Sequence, residues 1–281
     1  MDIDLKKIAY IPTTGVRRVH ETPLVAANDA SLNGYGCLVE TPTTFPIEIV
    51  RWPAQGWRPV DDNSGDQGGV TEGLFEFWWK GETLYARNNA VGDSYLFAWS
   101  TWPEEARTDG VAVPRERALV WRANYHPDGG QLFYPLHGES FVVPLALPGD
   151  DVAPDKFTAF WCNGKSGLYI HPNIWHGAVV PIDDHAELLD RQGRVHARVS
   201  VDFAKEFGCY LALPMRLQAR RSARSTHSFK SLPSGMVNGD QRGARLESSS
   251  LAAVDRRENI VKSTRLTATK RPTSRPGTKA M

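Results

Sequence analysis

Cysteine is scarce in this 281-residue chain: three thiols, Cys37, Cys162 and Cys209, stand far apart. Their spacing and odd number exclude a disulfide framework and a four-cysteine zinc site. Long hydrophobic runs are missing too, and none approaches the ~18 residues of a membrane-spanning helix. The opening stretch MDIDLKKIAY has no apolar core of the kind a secretory signal needs. A soluble, cytoplasmic protein with no membrane partner is expected. Aromatic residues disappear towards the C-terminus: all nine Trp stand at or before Trp175, and only Phe229 is aromatic beyond residue 216. Residues 217–281 carry fourteen Lys and Arg against four Asp and Glu, a net +10, so residues 1–216 hold −9 of the overall +1. Such a tail buries too little apolar surface to offset its ordering entropy and is expected to be disordered. Its basic residues are scattered without interleaved aromatics for base stacking, so nucleic acid is not an expected partner.

Residues 1–216 are rich in what the tail lacks. Short β-branched and aromatic runs alternate with Gly, Pro, Asn and Asp. The expected strands are 44–51, 74–79, 82–87, 94–100, 118–125, 139–147, 157–162, 167–170, 175–182, 195–203 and 208–213. Helical spacing is expected only near 183–190 and over 26–34. Short strands without alternating helices indicate an all-β, mainly antiparallel sandwich or barrel. The polar stretch 53–72 reads as a lid, an insertion or a mobile connection. The organisation is one domain, 1–216, followed by the tail, 217–281.

No Gly-rich phosphate loop, G-x-S-x-G elbow or two-cysteine zinc knuckle is present. The chemistry concentrates in 122–143, RANYHPDGGQLFYPLHGESFVV, and in YIHPNIWHG further on. Their spacing resembles the two metal motifs of cupins. Asn124, Tyr125 and His126 fill the places of His-x-His, Gln131 takes the place of the Glu, and Gly138 follows seven residues later. In the second motif His176 closes the run, with His171 at the place of the Pro. Two imidazoles and an amide, with no carboxylate, would leave a bound divalent ion most of its positive charge and favour an anionic substrate.

The longer run from Arg122 to Val180 resembles the ureidoglycolate lyase (ureidoglycolate hydrolase) family of the cupin superfamily. It carries His126-Pro127 with Gln131, Gly138-Glu139 with Phe141-Val142-Val143, and His171, Asn173, Trp175 and His176. The resemblance implies a cupin-like β-sandwich or barrel, a homodimer, and elimination of urea from ureidoglycolate to give glyoxylate in purine and allantoin nitrogen catabolism. It also implies a divalent metal ion, with Ni, Zn or Mn all open, held by His126, Gln131 and His176. His171 is then the base or acid, and Glu139 a ligand or proton donor. Tyr169, Asn173, Trp175 and Arg122 would orient a small carboxylate substrate, with Arg87 as another clamp for its charge. The alternatives are a lyase for a related α-hydroxyglycine-type compound and a non-catalytic cupin that binds a small carboxylate.

Overall fold

The run VTEGLFEFWWK is solvent-facing at its start and largely buried from Phe75 onwards, with Phe75, Phe77 and Trp79 in the core and Glu76 a buried polar exception, the pattern of a strand that dives into a core. Similar runs build almost all of the regular structure. The computed structural model describes residues 8–65, 68–111, 113–194 and 197–217, all of which fall in one unit, Met1–Ser222. The expected disordered tail, but for its first residue, and the first two residues of the expected strand 195–203 lie outside the described residues.

In chain order the strands are β1 (Val19–Glu21), β2 (Leu24–Ala26), β3 (Gly36–Val39), β4 (Val70–Lys80), β5 (Thr83–Asn88) and β6 (Asp93–Trp99). They continue with β7 (Arg117–Val120), β8 (Arg122–Tyr125), β9 (Gln131–Pro135), β10 (Phe141–Ala146), β11 (Thr158–Cys162) and β12 (Gly167–Ile170). The last are β13 (Trp175–Gly177), β14 (Val180–Pro181), β15 (His185–Gly193), β16 (Val199–Asp202) and β17 (Tyr210–Pro214). Ten strands form one sheet in the order β1-β17-β7-β6-β5-β4-β15-β9-β12-β3. The second sheet runs β16-β8-β13-β10-β11-β2, with β14 also paired to β10. Neither sheet closes on itself, and one apolar core draws Phe77 and Leu84 from the first and Leu145 and Val199 from the second. The all-β expectation holds in its sandwich form. No helix among the described residues is long and apolar enough to cross a membrane.

Three local expectations fail. Residues 183–190 are not helical; they enter β15, where Ala186, Leu188, Asp190 and Gln192 are buried in alternation. Two of those four inward residues are polar, so the period of two was hidden. The stretch 26–34 ends β2 at Ala26 and then turns, because the Asn28 carboxamide accepts the backbone N–H of Ala30 and Ser31, both at 3.0 Å, a local competitor of helix. Of the expected strand 44–51, only Ile49 bridges, to Gly129, since Pro46 offers no N–H to a ladder. The one α-helix among the described residues, α1 (Phe203–Phe207), was not expected. Its cap signals were legible: Asp202 accepts from Lys205 N–H at 2.8 Å and Gly208 closes it at φ 62°.

Candidate functional site

Strand alternation selects the side chains of the site. Arg122, Asn124 and His126 share one face of β8 and its extension, while Ala123 and Tyr125 take the other. The register sets His176 of β13 and Ser200 of β16 opposite Asn124 on either side. A cavity of about 410 Å³ lies between the sheets at this point. The second sheet contributes Arg122, Asn124, His126, His176 and Arg198, and the first contributes Gln131, Gln192, Phe75, Tyr95, Phe97 and Phe133. Arg194 also reaches the cavity.

Each imidazole is anchored from behind. His126 Nδ1 lies 2.9 Å from the Ala197 carbonyl and His176 Nδ1 3.1 Å from that of Ile174. A carbonyl only accepts, so both Nδ1 atoms carry the proton and both Nε2 atoms present lone pairs. Those lone pairs converge on Asn124, whose Nδ2 donates to His126 Nε2 at 3.1 Å and to His176 Nε2 at 3.2 Å. The rings stand 5.0 Å apart. Burial pulls the pKa of His176 down to about 4, against the opposing hydrogen bond to Ile174, so it is neutral at pH 7.

Across the cavity, Gln131 Nε2 donates to Asp190 Oδ1 at 2.8 Å, and Asn88 Nδ2 donates to Asp190 Oδ2 at 2.8 Å. Asp190 is fully buried. Burial pushes its carboxyl up to about 6, and the bonds from Gln131 and Asn88 hold it down only in part. With its nitrogen fixed there, the Gln131 amide has a set orientation.

At the rim, Asp61 ties the polar stretch 53–72 to the sheet. It accepts from Arg122 Nη2 at 2.8 Å, Arg198 Nε at 3.0 Å and Ser200 Oγ at 2.7 Å, while Arg122 also bonds Ser200 Oγ. Asn63 and Ser64 of the same stretch line the cavity. Removing this carboxylate leaves two neighbouring guanidiniums uncompensated. Asp61→Ala is expected to lower the unfolding free energy by about 2–3 kcal/mol, as read from urea denaturation at pH 7.

The convergence of three imidazoles reduces to two. His171 is exposed, its ring turned edge-on to Tyr169 at 5.5 Å. Tyr169 pairs with Leu132, which alternates with Gln131 and so faces away from the cavity; its Oη accepts from Glu48 N–H at 3.1 Å. Asn173, at φ 68°, is also exposed, but its backbone N–H donates to the His126 carbonyl at 2.9 Å and so supports that residue. Trp175 pairs across the ladder with neither imidazole; it packs edge-to-face on Tyr125 at 4.6 Å and donates Nε1–H to Gly149 O at 2.8 Å. The Glu139 carboxylate accepts the N–H of His137 at 2.7 Å and of Glu187 at 2.9 Å, which fastens a loop rather than facing the cavity. Arg87 donates to Glu76, Nε to Oε2 at 2.8 Å. Arg122, His126, Gln131 and His176 do meet in the cavity. Sequence reasoning missed Asp190, Gln192, Arg194 and Arg198, and gave Asn124 only the place of a motif His.

With this geometry in view, residues 112–201 match the family model described as Ureidoglycolate lyase. The likeness is to ureidoglycolate lyases. The protein of that name from Azotobacter vinelandii is 37% identical over 96 residues, 32% of this chain and 58% of the relative. Those of Stutzerimonas stutzeri and Pseudomonas fluorescens are 41% and 34% identical over 86 and 89 residues, covering 51% and 52% of those proteins. The chain thus spans about half the length of the curated relatives it matches. Every residue of the imidazole pair, the Gln131–Asp190 contact and the arginine rim, except Asp61 and Asn88, lies inside the ureidoglycolate-lyase-like segment.

The metal that the cupin likeness implies was expected on His126, Gln131 and His176; Gln131 stands across the cavity with its Nε2 on Asp190, so the donors that converge are the two imidazoles and the Asn124 amide. Imidazoles anchored through Nδ1 on carbonyls are the arrangement in which Nε2 serves as a ligand, and turning the Asn124 amide over would bring its oxygen to the same point. The set fits a divalent ion. No group of three His, Cys, Asp or Glu residues exists among the described residues to hold one, so the ion would have no carboxylate ligand from such a cluster.

Proposed function

We propose that the chain is a carbon–nitrogen lyase that cleaves ureidoglycolate to glyoxylate and urea in purine nitrogen catabolism. The observation that carries this reading is the paired Nε2 lone pairs of His126 and His176, set beside a rim of guanidiniums within the lyase-like segment. Arg194 and Arg198 offer charge-assisted hydrogen bonds to the substrate carboxylate. Gln131 and Gln192, register partners on β9 and β15, offer amide groups to the ureido end. The carbinol hydroxyl then donates to an imidazole Nε2 in place of the Asn124 amide.

Elimination needs one proton to move. The imidazole takes it from the carbinol oxygen, the oxygen electron pair forms the carbonyl of glyoxylate, and the C–N pair leaves with the ureido nitrogen. The same imidazolium returns its proton to that nitrogen, completing urea. The Asn124 amide stabilises the alkoxide as charge gathers on it. Were a divalent ion held by His126, His176 and the Asn124 oxygen, it would supply Lewis-acid polarisation of the carbinol oxygen in place of the imidazole base.

The test is glyoxylate release from ureidoglycolate by the purified full chain, after chelator treatment and with added Ni²⁺, Zn²⁺ or Mn²⁺. Turnover above the uncatalysed rate under any of these conditions supports the reading. Background rates under all of them overturn it; glyoxylate binding without turnover would then favour a carboxylate-binding protein.

A further inference from the structure

A site for ureidoglycolate alone has no use for an apolar wall, because that molecule carries almost no apolar surface. This cavity has one. Phe75 stands 5.9 Å from Tyr95, 5.9 Å from Phe97 and 6.2 Å from Phe133, and Tyr95 stacks on Phe97 at 4.9 Å. All four line the cavity opposite the imidazoles. Protein interiors close such spaces to crystal-like density, yet here about 410 Å³ stays open. That is room for roughly a dozen waters at about 30 Å³ each and lies in the range of about 300–1,000 Å³ that takes much larger ligands.

The wall has a position as well as a size. Phe133 follows Gln131 by two residues on β9, so the ring and the amide share a face. An acyl group whose carbonyl or N–H meets Gln131 or Gln192 therefore extends onto the rings. Phe75, Tyr95 and Phe97 come from β4 and β6, outside the residues that match the lyase family. Three of the four wall residues thus stand outside the matched segment, and Phe133 stands within it.

We infer that the preferred substrate is an N-acyl-α-hydroxyglycine with an aromatic or bulky apolar acyl group, which packs on Phe75, Tyr95, Phe97 and Phe133. The inference rests on the lyase reading above and keeps its chemistry. The carbinol O–H proton passes to the imidazole, the C–N bond breaks with its electron pair on nitrogen, and the products are glyoxylate and the neutral primary amide.

The experiment compares glyoxylate release by the full chain from N-benzoyl-α-hydroxyglycine and from ureidoglycolate, with benzamide and urea as product inhibitors. The benzoyl compound is expected to show kcat/KM at least about tenfold higher, from burial of its ring, with inhibition by benzamide at concentrations where urea has none. In Phe97→Leu that ratio should fall towards one, with near-ultraviolet circular dichroism reporting an intact fold. Cleavage of ureidoglycolate with a ratio at or below one, or a ratio unmoved by Phe97→Leu, overturns the substrate inference and leaves the lyase reading standing. Release from neither compound overturns the lyase reading and this inference with it.

Discussion

His176→Ala is expected to lower kcat for glyoxylate release by about 10²–10⁴-fold, the range for loss of a positioned acid or base. His126→Ala should fall in the same range, and the double variant should lose little more, because the two rings act on one proton through one shared point. The fall should appear in kcat rather than KM, since the arginine rim that would bind the carboxylate is untouched. Each substitution also leaves polar partners behind. In His176→Ala the Ile174 carbonyl and one Asn124 N–H lose their acceptor or donor, a cost of about 1–3 kcal/mol for each group left buried. Steady-state kinetics, with near-ultraviolet circular dichroism to confirm the fold, separate the two effects. A kcat within threefold of the parent in both single variants would remove the imidazoles from the chemistry.

Asp190→Asn should change how stability depends on pH. The folded-state pKa of Asp190 is raised from 3.8 to about 6, so folding favours its protonated form. Its contribution is fully present below pH 3.8 and is lost as pH rises through 6, a decline of about 3 kcal/mol. His176 has the opposite sign in metal-free protein. Its folded pKa lies at about 4 against 6.5, so its contribution is present above pH 6.5 and lost as pH falls through 4. In the parent the two slopes nearly offset. Asn at position 190 removes the declining one, and the variant-minus-parent unfolding free energy should rise by about 2 kcal/mol between pH 4 and pH 6.5. Urea titrations of chelator-treated protein at several pH values measure this; a difference independent of pH would mean that Asp190 is ionised throughout.

What the sequence revealed follows from how local each signal is. Strand runs such as LFEFWW and FVVPLA announce themselves by β-branched and aromatic density, so the sandwich was legible. The pair of imidazoles was legible because His126 and His176 sit in recognisable spaced segments. Asp190 and Gln192 were not, since a strand with polar residues on its buried face looks like an amphipathic helix until its neighbours are known. Nor could spacing tell that His171 and Tyr169 face away: one step along a strand changes the side of the sheet, and for Tyr169 the step depends on pairing with Leu132 and Cys37. Glu139 looked like a site carboxylate because nothing local shows that two backbone N–H groups already claim it.

The placement of Asn124 between His176 and Ser200 has a practical meaning for anyone altering this protein. Chemistry here depends on a count, the number of residues separating the ends of a four-residue strand. Adding or deleting one residue within Arg122–Tyr125 would present Ala123 or Tyr125 to the cavity and send the amide and guanidinium to the far side. Composition, charge and most of the core would be preserved, and a spectroscopist would see the same protein. Insertions in that strand should therefore be among the most damaging changes per atom altered.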